Sequence, residues 1–274
     1  MNDLNKKLAL KWYDALKFPE ELRDEFIDVL ENCSLIDADL SKTTEEIHNM
    51  KDLQANLVYS LCKCEETLKE YNQKGIPQKI LIDTMSDITV WTMNYYEREH
   101  KFGFEIIQWM NLHFSLKMYK LGNLQFAMAP SIADNEELGL KVGDNTIDMH
   151  IQRYVSLDMK DIKESFDMAK DFFAMYFPEY DYQHFTCHSW LLNPLLEDFL
   201  NEDSKIIQFQ RLFKIIHKSE GDNILVFVFR KGITRENIAE FEPKTTLQKK
   251  AKEYALTGKP FYNGYGVIRK DDTP

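Results

Sequence analysis

A chain of 274 residues is long for one ordinary domain and short for three, so two compact units are expected. Its 44% hydrophobic and 13% aromatic content can fill two cores and excludes a long disordered region. The formal charge of −11 excludes a general binder of nucleic acid or anionic membrane, because attraction to phosphate dominates such contacts. The four cysteines, Cys33, Cys62, Cys64 and Cys187, lack CxxC spacing and are too sparse for a disulfide scaffold. The first stretch, "MNDLNKKLALKWYDALKF", carries charges every few residues, and nowhere do about 18 uncharged apolar residues run together. These features predict a soluble, cytoplasmic protein.

The first part reads as helices. One or two precede residue 35. In "DLQANLVYSLCKCEETLKEYNQKGIP" the residues Leu57, Leu61, Cys64, Leu68 and Tyr71 recur at three- and four-residue steps, and Gly75 and Pro77 stop that helix and open the next. The next carries Leu81, Met85, Ile88 and Tyr95 on one stripe, with Pro77 at its first turn. After the charged break "EREHKFG" a further helix is expected from about Phe104 to Tyr119, closing a helical bundle. Cys62 and Cys64 face different directions on their helix, which suits packing rather than ligation.

Beyond residue 119 the period changes. "LGNLQFAMAPS" and "DNTIDMHIQ" read as strands. A long helix follows in "SLDMKDIKESFDMAKDFFAMYF", with Ser156 or Asp158 as its N-cap and Pro178 just beyond its end. "HFTCHSWLLNPLLEDF" reads as a strand and then a short helix capped by Asn193. "RLFKIIHKSEGDNILVFVFR" reads as a hairpin, its second strand, Ile224 to Phe229, being apolar on both faces. A helix and a tail complete the chain.

On a strand Cys187 and His188 point to opposite faces, so they cannot form an adjacent nucleophile and base. Cys187 is read as a buried structural thiol, with a catalytic role as the alternative. His184 and His188 share a face but lie roughly 13 Å apart, too far for one metal ion. No metal site is expected, and no Walker A loop, GxSxG elbow or HExxH signature occurs.

The blocks "LGNLQF", "DMHIQ", "ESFDMAKDFFAMYFPE", "CHSWLLNPLLEDFL", "SKIIQFQRLFKI" and "TTLQKKAKEYALTGKPFYNGYG", with "YNQKGIPQKILIDTMSDITVW" and "GFEIIQWMNLHF" before them, carry a resemblance over nearly the whole chain. They resemble bacterial acyltransferase-like proteins with a helical N-terminal domain and a GNAT-like C-terminal domain. The resemblance implies an α+β chain: an all-helical domain over 1–119 packed on a GNAT-like domain over 120–274, with a mixed, mostly antiparallel sheet. It implies an acyl-CoA-dependent N-acyltransferase, with acetyl-CoA or another acyl-CoA as cosubstrate and a small-molecule or peptide amine as acceptor.

In that fold the acyl thioester lies between two splayed strands, so the ends of "TIDMHIQ" and "FTCHSWL", including His188, would line the gap. Asp148 and His150 share a strand face, and either could be the base that deprotonates the amine; the alternative is a solvent-facing Asp and a hydrogen-bonded His. For the acid that protonates the leaving thiolate the candidates are Tyr262 and Tyr265, which could equally belong to a packed C-terminal loop. The family's glycine-bearing cofactor turn corresponds here to "HIQRYVSLDMKD", which has no glycine. Phosphate contacts are expected instead from the helix N-terminus with Arg153, Tyr154 and Ser156. Lys249 and Lys250 belong to a basic run from Lys244 to Lys270 that suits CoA phosphates or an acidic partner, or is a solvated helix face. The missing glycines support an alternative function, a non-catalytic ligand-binding or protein-interaction module.

Overall fold

The computed structural model describes residues 3–33, 42–153, 155–229 and 232–274. The chain divides into two units, Met1–Leu121 and Gly122–Pro274.

The first unit is helical: α1 (Asp3–Ala15), α2 (Arg23–Asn32), α3 (Thr44–Asn49), α4 (Leu53–Lys74), α5 (Gln78–Glu99) and α6 (Met110–Phe114). Its termini are set by local chemistry. Thr43 and Glu46 form a reciprocal capping box on α3, the Asp52 side chain accepts from the Gln54 and Ala55 amides at the start of α4, and Gly75 ends α4 in the left-handed conformation at φ 70°. The core is aromatic, with Tyr13 stacked on both Phe18 and Phe26 at 4.8 and 4.7 Å. The helix expected from Phe104 to Tyr119 is shorter than its apolar stripe. Phe104, Ile107, Met110 and Phe114 are all buried, but Leu116 takes a left-handed backbone at φ 55° and Met118–Leu121 continues as strand β1. The side-chain pattern is helical, and the backbone leaves the helix where a β-strand can form.

The second unit is built from β2 (Leu124–Pro130), β3 (Asn145–His150), α7 (Met159–Tyr176), β4 (His184–Ser189), α8 (Leu196–Phe199), α9 (Lys205–Gln210), β5 (Lys214–Glu220), α10 (Asn223–Val228), α11 (Thr246–Ala255) and β6 (Tyr262–Arg269). Within this unit the strand order is β2-β3-β4-β6-β5. Only β3 and β4 pair in parallel among the described ladders, and α7 supplies the crossover that a parallel connection needs. One sheet face packs on α7, where Phe126, Phe166 and Phe185 meet edge to face with centroids 5.0 to 5.9 Å apart. The opposite face carries Thr146, Asp148, Thr186, His188, Tyr265 and Val267, which alternate with those inward residues.

The hairpin expected over residues 211–230 does not form. The strand Lys214–Glu220 exists, but Ile224–Val228 lies in helix α10, and β5 pairs instead with β6, more than 40 residues on. A short apolar run suits a buried helix as well as a strand, and Ile224 and Leu225 are drawn into a cluster with Leu196, Ile207, Ala251 and Phe261. The C-terminal "FYNGYG" is correspondingly no loop: it begins β6, which lies between β4 and β5. The glycines of that strand are packing requirements. A Cβ at Gly264 would stand 2.2 Å from the Leu192 carbonyl oxygen, and one at Gly266 would stand 2.6 Å from Leu192 Cδ1. Gly264→Ala is therefore expected to destabilise the protein by about 1–3 kcal/mol through backbone displacement, measured as a lowered urea midpoint.

Candidate functional site

The site forms where β3 and β4 part. Their register contains only Ile147↔Phe185 and Asp148↔Thr186, although β3 remains paired with β2 as far as His150 and β4 with β6 as far as Ser189. Past Asp148 and Thr186, each strand is thus held on its outer side and has no strand partner on its inner side among the described residues. The parallel register carries His150 and His188 to corresponding positions on the two lips of this fork. Paired strands lie about 4.8 Å apart, and the lips are wider than that once the ladder stops.

On the β3 lip Nε2 of the His150 imidazole lies 3.0 Å from Asp148 Oδ2, the two side chains being 24% and 18% exposed. The other carboxylate oxygen, Oδ1, accepts from Thr186 Oγ1 at 2.8 Å. On the β4 lip His188 is exposed, with Nε2 3.3 Å from Ser219 Oγ and its ring 6.2 Å from that of Tyr265. Tyr265 is 2% exposed, and its hydroxyl lies 3.3 Å from Ser131 Oγ.

Ser131 opens the connection 131–144, which straps the lower part of the same face. The strap is fastened by the His184 ring to the Leu138 carbonyl at 3.0 Å, by Arg269 to the Glu137 carbonyl at 2.9 Å, and by an ion pair between Glu137 and Lys214. Burial lowers the pKa of His184, in keeping with a neutral ring donating to that carbonyl. Leu140 seals the strap onto Tyr265 and Val267, leaving the His150 and His188 end beyond it.

The chain between β3 and α7 enters the helix through Asp158, whose carboxylate accepts from the Lys160 amide. Lys205, on α9, bonds that carboxylate at 3.1 Å and, with the amide bond, holds it below the usual aspartate range. Ser156 is exposed and its hydroxyl accepts from the Asp158 amide, while Tyr154 lies outside the described residues. Lys249 and Lys250 sit exposed on α11, which packs against α8 and α10, and Lys250 is 3.9 Å from Glu253. The cation that meets the N-terminal turn of α7 is Lys205, which sequence spacing gave no reason to select: it lies 47 residues from Asp158.

Of the residues singled out from the sequence, Asp148, His150, His188 and Tyr265 thus share one sheet face. Cys187 points the other way, fully buried, and burial pushes its thiol well above the ordinary cysteine pKa. Among the described residues no group of three or more His, Cys, Asp and Glu side chains could hold a metal ion, and no helix is long and apolar enough to cross a membrane.

A sheet forked beside a capped crossover helix, with a helical unit before it, is the architecture of an acyltransferase-like chain. Residues 10–116 match the N-acyltransferase N-terminal domain family and residues 118–268 match the GNAT-like C-terminal domain family. The chain belongs to the family that combines these two domains. It is similar in fold to the crystal structure of an acyltransferase in complex with decanoyl-CoA and teicoplanin, at 21% identity and a TM-score of 0.78, with 97% of this chain and 88% of that one covered. A variant acyltransferase in complex with octanoyl-CoA is similar to the same degree, at 21% identity and a TM-score of 0.78, over 95% of this chain and 87% of that one. Among curated proteins none matches the chain.

All four cysteines of the chain are buried, and none is in a disulfide. The native protein is expected to give no rapid reaction with Ellman's reagent, and all four thiols to react on denaturation. Fast reaction of Cys187 in the native state would instead restore it as a nucleophile candidate.

Proposed function

We propose that this protein is an acyl-CoA-dependent N-acyltransferase that transfers an acyl group directly to the amine of a small-molecule acceptor. The observation that carries the reading is the fork itself: β3 and β4 separate at Asp148 and Thr186 with a carboxylate-backed imidazole on the lip. The family membership and the acyl-CoA complexes of its structural neighbours support it.

An extended ligand bearing amides, such as the pantetheine arm of CoA, can lie along the inner edge of a fork as an added strand does. The first turn of α7, with Lys205 beside it, offers amide donors and a cation to the CoA phosphates. Asp158 already uses one of those donors and carries a negative charge. Lys205 neutralises that charge, which a glycine-bearing turn would not require. Arg153 and Ser156, in the same connection, are assigned to phosphate contact, with Lys249 and Lys250 as more distant contributors of positive potential.

In the reaction the amine nitrogen, having shed the proton of its ammonium form, attacks the thioester carbonyl carbon. The C–S bond breaks as the tetrahedral adduct collapses, and the thiolate leaves as CoA. His150 takes the proton lost by the attacking nitrogen, and the Asp148 carboxylate, 3.0 Å from its ring, stabilises the imidazolium that forms. His188, on the facing lip, and Tyr265 are the proton donors available to the thiolate. The Tyr265 hydroxyl points to Ser131, which leaves His188 the better presented of the two.

The competing reading, a non-catalytic module, draws on the glycine-free connection before α7. Release of CoA, followed with a thiol reagent over a panel of amines and acyl-CoAs of different chain length, separates the two. Turnover is expected with at least one pair, and His150→Ala is expected to lower kcat/KM about 10²- to 10⁴-fold. No turnover with any pair, together with no calorimetric binding of CoA or acetyl-CoA, would favour the module.

A further inference from the structure

The polar face of the sheet continues past the fork, across β6 to β5. The register sets His188 beside Tyr265 and Asn263 beside Ser219, and Asn263, two residues from Tyr265, shares its face. The His188 ring reaches over β6 to Ser219 Oγ at 3.3 Å, so Asn263, level with Ser219 on the intervening strand, lies against that contact and is only 8% exposed. Its amide is the exception on this face. Oδ1 is buried and accepts no hydrogen bond from any described residue, which is costly for a polar atom withdrawn from water. Gly221, just past the end of β5, makes the room for this amide: a Cβ there would stand 2.5 Å from Asn263 Nδ2.

Gly221 also lines an open pocket of about 450 Å³, together with Glu220, Asp222, Arg235 and Phe261. Arg235 is fixed in its wall, bonded to the two Asp222 oxygens at 2.7 and 2.8 Å and lying 5.1 Å over the ring of the buried Phe261. Its charge is taken up by Asp222, while Glu220 is exposed and pairs with no described cation. The lining thus sets two carboxylates against one guanidinium and draws a cationic amine. From Ser219 to Gly221 is two strand steps, roughly 7 Å, so a ligand seated in the pocket reaches past Asn263 toward the His188 lip. The reacting nitrogen must stand at the fork, and the group that meets Asn263 is therefore a second one. We infer that the pocket and the Asn263 amide form the subsite of the acceptor, and that the acceptor is an amino alcohol whose hydroxyl donates to Asn263 Oδ1. The assignment to the acceptor rests on the acyl-transfer reading; the class of ligand rests on the pocket and the amide alone.

The test uses the full chain and matched amines that differ only in their hydroxyl groups: ethanolamine with ethylamine, serinol with isopropylamine, aminocyclohexanol with cyclohexylamine. NMR of the Asn263 side-chain amide, assigned by its loss in Asn263→Leu, reads binding in the absence of acyl-CoA. A saturable shift is expected with at least one amino alcohol and not with its alkyl counterpart. In the CoA-release assay that amino alcohol is expected to exceed its counterpart about 3- to 10-fold in kcat/KM, the worth of one hydrogen bond, and Asn263→Leu is expected to remove the preference. Should Asn263→Leu not fold, Asn263→Ser withdraws the amide and serves both purposes. No saturable shift with any amino alcohol, no preference within the pairs that turn over, or a preference that survives loss of the amide would overturn the inference. A saturable shift without turnover of any amine would keep the subsite and count instead against acyl transfer.

Discussion

The structure depends on a ladder that stops early. β3 and β4 share two residue pairs, yet each keeps a full partner on its outer side, so they can part without either strand losing its place in the sheet. Had β3 been an edge strand, the divergence would have left it paired on neither side, at the cost of its backbone hydrogen bonds. The antiparallel neighbours β2 and β6 are thus what make the fork tolerable. The same geometry faces two imidazoles across a gap in the sheet rather than along a continuous surface.

Packing on the two faces divides the labour. The face toward α7 is an aromatic core in which Phe126, Phe166 and Phe185 interlock, and it holds the strands rigidly at the point where they separate. The other face can then carry polar side chains where partners stand beside them: Asp148 with His150 and Thr186, Tyr265 with Ser131, His184 with the Leu138 carbonyl. The strap 131–144 covers the lower part of that face and leaves the carboxylate and imidazole pair partly exposed. Charge is handled locally in the same way. Asp158 caps α7 and would repel an approaching anion, but Lys205 from a separate helix answers it.

The long helices were legible because a stripe of buried side chains at 3.6-residue spacing, bounded by Gly75, Pro77 and Pro178, admits one solution. The polar face of β3 was legible too, since Asp148 and His150 are two apart and β-strand geometry puts them on one side. Elsewhere the pattern had two solutions. Ile224–Val228 is apolar throughout, and its choice of helix was made by Leu196, Ile207, Ala251 and Phe261, far away in sequence. The stretch "FYNGYG" reads as turns because glycine and asparagine favour turns. It is a strand because Leu192 and Phe213 crowd the glycine positions until no side chain fits there.

The sequence by itself determined the helical half, the strand and crossover-helix order through β4, and the residue types on the far face of β3, because these follow from local periodicity. Only the tertiary structure decided that β6 enters between β4 and β5, that Lys205 is the cation at the start of α7, and that Thr186 closes the base of the fork on Asp148. Each of these joins residues 38 or more positions apart. Such pairings are fixed by which surfaces remain to be buried once the local elements exist, and a linear pattern carries no record of that.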